Sequence, residues 1–420
     1  MMSQTDNDRL CRTGPGTPMG AVFRRFWLPI CTSDRVSLPG GAPRLERLLG
    51  ENFVVFRNAQ GEVGVLDELC PHRGASLTLG RVEDCGIRCI YHGWKIGNDG
   101  ALLEIMNNPA NKRPPNVRAP SFPAVEAGGI VWTYLGPQEH QPPVPNFAFM
   151  DLPENQRVLL RVDGNYNWMQ SLEGGLDSSH VGILHSNAAR PNWNGPSEIR
   201  VGAFEDTGPV LEVEDTEFGY HYAAFRRGAP GQPSNVRIVP FIMPSGRIIP
   251  GGALQGAGNH TIAFEIPIDD EHTATYTVRY GSAPISRESR LRETGFDDPE
   301  VYSQEQQRLL LTRANYNRQR RDIMDRNWSG LNGIAFEDTV IATSMGPIQD
   351  RTKEHLIASD LAVARLRRRL LDSAARLELG EPPIGAHADT RLISSIDAPA
   401  PQGAHWRTLV PSHRVIAAIP

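Results

Sequence analysis

Two short stretches, Cys70-Pro71-His72-Arg73-Gly74 and Cys89-Ile90-Tyr91-His92-Gly93-Trp94, each offer one thiolate and one imidazole, and sixteen residues separate the two pairs. That is the ligand set of an iron–sulfur cluster in which one iron carries two cysteines and the other two histidines. A structural zinc ion, which two Cys and two His also suit, is the competing reading. Zinc sites usually place both cysteines in one knuckle and both histidines on a following helix, whereas here each loop mixes one of each. A bridged pair of irons needs ligands from two separate loops, and Gly74 and Gly93 allow the tight turns such loops require. Read as a cluster, the motif moves single electrons, and the rest of the chain must show what they are for.

On Cys-x-His, sixteen residues and Cys-x-x-His, the chain resembles the Rieske non-haem iron ring-hydroxylating oxygenases. The same loops alone would also suit a small ferredoxin or a respiratory electron carrier, so the downstream sequence decides.

A chain of 420 residues exceeds what one core usually serves, so two domains are expected. The net charge of -5 argues against nucleic acid or an anionic membrane as the main partner. No charged-then-apolar signal opens the chain and no apolar run is long enough to span a bilayer, so a cytoplasmic protein is expected. Beyond the two motif cysteines, Cys11, Cys31 and Cys85 are an odd remainder, not a disulfide framework. Cys85, close to the second loop, reads as a small buried residue and not a ligand.

An N-terminal segment, 1–39, precedes short alternating runs at Asn52 to Arg57, Val63 to Glu68, Gly86 to Ile90, Lys95 to Ile96 and Gly129 to Leu135. Ala59-Gln60-Gly61 and Asn98-Asp99-Gly100 mark hairpin turns between them. Residues 40–140 thus read as a small all-β domain with the motif loops at its hairpin tips. The Pro-rich stretch in 141–156 reads as a linker, and 157–420 as a second domain. Val158 to Val162 alternates as a strand, and Asn167 to Glu173 reads as a helix.

A second cluster of metal-capable residues follows, Asp177-Ser178-Ser179-His180-Val181-Gly182-Ile183-Leu184-His185, after the Gly174-Gly175 pair that interrupts the helix. Two histidines and an aspartate suit half of a facial triad for ferrous iron; unrelated polar residues on a helix are the alternative. A regular helix would stack Asp177 on His180 but splay His180 from His185, so a distortion or helix end near Gly182 is needed. Within the resembled family, Asp-x-x-His-x(3 or 4)-His carries the mononuclear iron. The resemblance therefore implies His180 and His185 as iron ligands. It implies that Asp177 is no ligand but hydrogen-bonds His180 on one side and a cluster histidine of a neighbouring subunit on the other, which requires an oligomer, a homotrimer or a dimer of trimers.

Residues 198 to 280 alternate in short strands, including Gly219 to Arg226, Val236 to Met243, Thr261 to Ile266 and Ala274 to Tyr280, and imply a large antiparallel sheet. Arg226, Arg227, Arg237 and Arg247 are candidates to clamp a substrate carboxylate or, singly, solvent-facing strand residues. Ser303 to Asn327 reads as a charged helix, Thr352 to Leu371 as an amphipathic helix with Arg365 to Arg369 outside, and the tail from Gly380 as mostly irregular. A facial triad takes its carboxylate from a distant segment, and Asp338 is the choice, matching the family's Glu-Asp position before Ser344-Met345-Gly346-Pro347. Glu337, Asp350 and Asp360 are the alternatives, and a helix cap is the other role open to Asp338.

The reading is thus an α+β chain: an N-terminal all-β Rieske [2Fe-2S] domain, then a catalytic domain whose antiparallel sheet is flanked by helices. From Gly14 to Leu371 the resemblance is closest to the branch holding phthalate dioxygenase and the O-demethylases of lignin-derived biaryls. It implies a [2Fe-2S] cluster on Cys70, His72, Cys89 and His92, and a mononuclear Fe(II) on His180, His185 and Asp338, with dioxygen and a small aromatic acid as substrates. Electrons would come from NAD(P)H through a flavin and iron–sulfur reductase or a ferredoxin, since no dinucleotide-binding fingerprint follows a strand here. Hydroxylation of an aromatic carboxylate is the expected reaction, and O-demethylation of a methoxylated acid the alternative. An electron-transfer protein without oxygenase activity is the reading from another class.

Overall fold

The computed structural model describes residues 2–109, 115–185, 206–228, 233–251, 258–312, 316, 324 and 328–410. The chain parts into two compact units: Gly14–Gly16 with Phe23–Val144, and Met1–Thr13, Thr17–Val22 with Pro145–Pro420.

The smaller unit is built from three antiparallel sheets. Trp27–Thr32, an apolar run buried along its whole length, pairs with Ile130–Tyr134 and so begins the unit earlier than residue 40. A second sheet holds Arg44–Leu48, Glu51–Arg57, Val63–Asp67 and Ser121–Phe122, and a third Arg81–Glu83, Gly86–Arg88, Trp94–Gly97 and Leu102–Ile105. The first motif loop follows Val63–Asp67 and the second joins Gly86–Arg88 to Trp94–Gly97. Cys70 and Cys89 sit in the same apolar core as Val54, Phe56, Ile87 and Ile96. Each such buried aliphatic or aromatic side chain contributes about 1.5–3 kcal/mol, so the ligand loops are pinned from beneath.

The larger unit is organised on a ten-stranded sheet. Along it run Val210–Thr216, Gly219–Arg226, Asn235–Ile242, Gly246–Ile249, His260–Pro267, Thr273–Tyr280 and Arg157–Gly164, all antiparallel neighbours. Arg308–Leu309 joins Arg157–Gly164 in parallel and forms a hairpin with Tyr302–Ser303. That hairpin replaces the helix expected from Ser303 onward: Gln307 has a φ of 55°, a left-handed conformation that breaks a helix. Residues 313–315, 317–323 and 325–327 of that expected helix, and 198–205, 229–232 and 252–257 of the expected strand region, lie outside the described residues. In the tail Ile396–Pro399 adds a strand beside Asn235–Ile242.

Helices Trp168–Leu176, Ile334–Ser344 and Leu361–Glu378 flank the sheet. Asn167 starts the first by accepting from Met169 N, while its amide donates to Cys11 O and Asp270 O. Gln170 of this helix donates to Ala342 O and Gly346 O, both at 2.9 Å, tying it to Ile334–Ser344. Arg365–Arg369 do not all face outward as expected: Arg367 and Arg369 are buried, Arg367 on Glu173 and Glu354 and Arg369 on Asp215. Among the described residues no helix is long and apolar enough to cross a membrane.

Candidate metal centres

The two loops of the smaller unit repeat one design. Cys70 O accepts from Gly74 N at 2.9 Å and Cys89 O from Gly93 N at 3.0 Å, and both glycines have a φ of 72°. Only a residue without Cβ takes this left-handed conformation at no cost, so the glycine closes each loop one turn after its cysteine. The loops then pair their ligands by type. Cys89 is close enough to Cys70 to help raise its pKa, and the His72 and His92 rings meet edge to face at 4.5 Å. Trp94 stacks on His72 at 4.5 Å and 7° and fixes that ring, a role its place in the motif did not reveal.

One thiol pair and one imidazole pair, each drawn half from either loop, suit a cluster of two irons with two cysteines on one and two histidines on the other. Two further observations fit. Burial pushes the Cys70 thiol up to about 11 against backbone donors at His72 and Arg73, so a cation is needed to hold it as thiolate at neutral pH. His92 Nδ1 is buried with no hydrogen-bond partner, as a nitrogen meant for a metal would be. Cys85 is exposed, not buried as expected, and its thiol lies against Asp84.

In the larger unit the helix runs through Gly174-Gly175 without interruption and ends at Leu176. A Cβ on Gly175 would lie 1.9 Å from Arg247 Nε. The glycine thus gives up about 1 kcal/mol of helix propensity so that the Arg247 guanidinium can pack on the helix. Asp177 caps the helix end, and its carboxylate folds over the next turn. Oδ1 accepts from Ser179 N and Oγ, both at 2.7 Å, and Oδ2 lies 3.2 Å from His180 N and from His180 Nδ1. Asp177 and His180 therefore meet through a side-chain turn and not by stacking on a helix face. A single 3-10 turn at His180–Gly182 supplies the expected distortion, and the ring of His185 returns to 5.1 Å from that of His180.

Asp338 arrives on Ile334–Ser344, whose N-cap is Gly333, so it caps nothing. Its Oδ1 lies 3.1 Å from His185 Nε2 and 3.6 Å from His180 Nε2. Ligand atoms of His180, His185 and Asp338 all lie within 4.8 Å of one another. Two imidazoles and one carboxylate at such separations fit a ferrous ion held on one face. The alternatives fall elsewhere: Glu337 bonds His185 Nδ1, on the far edge of the ring, Asp350 pairs with Lys353, and Asp360 accepts from Ile357 N.

Neighbouring groups set the charge of each residue in the site. Burial raises the Asp177 pKa, but His180 and Ser179 outweigh it and hold the carboxyl at about 2. Asp338 is 46 % exposed. Loss of solvation raises its pKa, and His185, His180 and Arg247 more than reverse this, so it stays ionised. Burial lowers His185, but Asp338 and Glu337 push it up to about 10.

Each of the four candidate arginines meets a partner in the protein, although the Nε atoms of Arg226 and Arg247 are buried without a hydrogen bond. Arg226 donates to Ser178 O, Arg227 pairs with Asp206, Arg237 lies 3.9 Å from Asp397, and Arg247 lies 2.6 Å from Glu265.

Residues 26–123 match the model of the Rieske [2Fe-2S] domain and 133–418 that of the LigXa C-terminal domain like family. The chain is 36 % identical to the phthalate 4,5-dioxygenase oxygenase subunit of Pseudomonas putida, over 97 % of this chain and 94 % of that one. It is 34 % identical to the 3-chlorobenzoate-3,4-dioxygenase oxygenase subunit of Comamonas testosteroni, over 87 % of each. Its fold is shared with Pseudomonas putida CBB5 NdmA, a mutant bound to caffeine, at a TM-score of 0.65 and 17 % identity over 93 % of this chain and 100 % of that one.

Proposed function

This chain belongs to the Rieske non-haem iron oxygenases as one of their oxygenase subunits, and from that premise we propose that it uses dioxygen and reductase-supplied electrons to hydroxylate an aromatic carboxylate of the phthalate or benzoate kind. The observation that carries the reading is the convergence of His180, His185 and Asp338 in a chain that also has the paired Cys70/Cys89 and His72/His92 loops. The substrate class comes from the phthalate and chlorobenzoate relatives.

Cys70, His72, Cys89 and His92 would hold the [2Fe-2S] cluster, and His180, His185 and Asp338 a single Fe(II). When bound, the first supplies single electrons and the second the activation of dioxygen beside the substrate. The protein's own groups set the stage. Asp338 stays anionic because His185, His180 and Arg247 face it. Asp177 fixes the ring of His180 and, 21 % exposed, keeps an edge open to solvent. That open edge supports Asp177 as the link by which electrons arrive from the cluster of a neighbouring subunit, in a trimer of this chain. The electron donor is a flavin and iron–sulfur reductase or a ferredoxin fed by NAD(P)H, which places the reaction in the cytoplasm.

The test is oxygen uptake by the purified full chain with a surrogate reductase, across phthalates, halobenzoates and methoxylated benzoates. Uptake with release of a cis-dihydrodiol from a phthalate or halobenzoate is expected. Formaldehyde release from methoxylated acids alone would replace hydroxylation by O-demethylation. Uptake no faster than the reductase's own background with every compound would leave only an electron carrier.

A further inference from the structure

Consecutive residues of one helix grip the two nitrogens of one imidazole. Glu337 Oε2 lies 2.6 Å from His185 Nδ1, and Asp338 Oδ1 lies 3.1 Å from His185 Nε2. Successive helix positions point about 100° apart, so the two carboxylates reach opposite edges of the ring and do not compete for one ion. Glu337 and His185 are 1 % and 3 % exposed. Ser329 Oγ donates to Glu337 Oε1, and Ser329 is held in turn by accepting from Leu331 N at 3.1 Å.

The other histidine is supported differently. His180 leans on Asp177, a partly exposed helix cap at 3.2 Å, whereas His185 leans on a buried carboxylate at 2.6 Å. Resting on the reading of His180, His185 and Asp338 as the iron site, we propose that Glu337 is the positioning residue of that site. Its carboxylate accepts the Nδ1 proton of His185, which selects the tautomer whose Nε2 lone pair faces the metal, and makes that nitrogen a stronger donor. Ser329 keeps the carboxylate in place. The two histidines thereby divide their duties, with the exposed pair free to serve electron entry and the buried pair anchoring the metal.

Co(II) titration of the full chain, chelated to empty the mononuclear site and with the cluster in place, tests this. The cluster's visible absorption serves as an internal check of folding. Glu337→Gln keeps an acceptor oxygen but loses the charge, and should weaken Co(II) binding about tenfold; Glu337→Leu should weaken it about a hundredfold. At saturation the ligand-field bands of Co(II) should be shifted in the Leu variant, which a merely structural role would not cause. Ser329→Ala should give a smaller loss than Glu337→Gln, and these two decide the matter if the Leu variant loses its cluster band. Wild-type affinity and bands in the Glu337 variants, with binding abolished in Asp338→Ala, would overturn the inference alone. Wild-type binding in Asp338→Ala as well would instead overturn the iron site.

Discussion

Asp177 Oδ2 lies 3.2 Å from both the backbone nitrogen and the ring Nδ1 of His180, so one carboxylate oxygen fixes both the turn and the imidazole that the turn presents. The residue is chemically committed to its anion, held at about 2, yet its side chain is 21 % exposed.

Asp177→Asn keeps the shape and an acceptor oxygen but removes the charge. Both metal centres should still load to wild-type content, while turnover falls at least about 10–100-fold. Single-turnover assays with the cluster pre-reduced, followed by its absorption, read this directly. Cluster oxidation and product formation at the wild-type rate would remove Asp177 from the electron path.

The cysteines make separate predictions. Cys85→Ser should leave the visible spectrum and the reduction potential unchanged, because that thiol is exposed beside Asp84. His72→Cys, if it assembles, should lower the potential by some hundreds of millivolts toward that of an all-cysteine cluster. Protein-film voltammetry on the two variants would show whether the ligands have been assigned correctly. A cluster lost in Cys85→Ser would contradict the assignment.

Glu173 predicts a dependence on pH. It accepts from Arg351 Nη2 at 2.9 Å and Arg367 Nε at 2.7 Å with all three side chains buried. Burial raises its carboxyl, but the two guanidinium groups outweigh this and hold it below the ordinary value of 4.5. A depressed carboxylate stabilises the fold fully above its unfolded value, and that contribution is lost as pH falls through the folded one. Glu173→Gln takes from buried Arg351 its carboxylate partner, while Arg367 keeps Glu354, at a cost of about 3–5 kcal/mol. At pH 7 its melting temperature should fall by roughly 5–10 °C. Between pH 5 and 3, a range set by ordinary carboxylate values of about 4, it should lose less further stability than the wild type.

How much of this the sequence disclosed depended on how local the signal was. The cluster loops were legible because their ligands, glycines and flanking strands lie within about two dozen residues and the spacing itself is the chemistry. Helix Trp168–Leu176 was legible from Asn167 and the apolar spacing after it. Only the family resemblance favoured Asp338 over its neighbour Glu337, since the two are adjacent and alike, and the direction of the helix decides which edge of His185 each meets. Charge misled at Arg367 and Arg369, which count as solvated in sequence but find Glu173 and Asp215 from distant segments. The hairpin at Tyr302–Leu309 was hidden for a similar reason, because its pairing to Arg157–Gly164 is a tertiary contact that overrides local helix propensity.

The central claim is that one chain houses a two-iron cluster and a separate mononuclear iron, and counting irons is the direct test. Anaerobically reconstituted wild-type protein should contain about three irons and two acid-labile sulfides per chain, and His180→Ala about two of each with an unchanged cluster spectrum. Equal iron content in the two proteins, or a colourless wild type, would contradict the account.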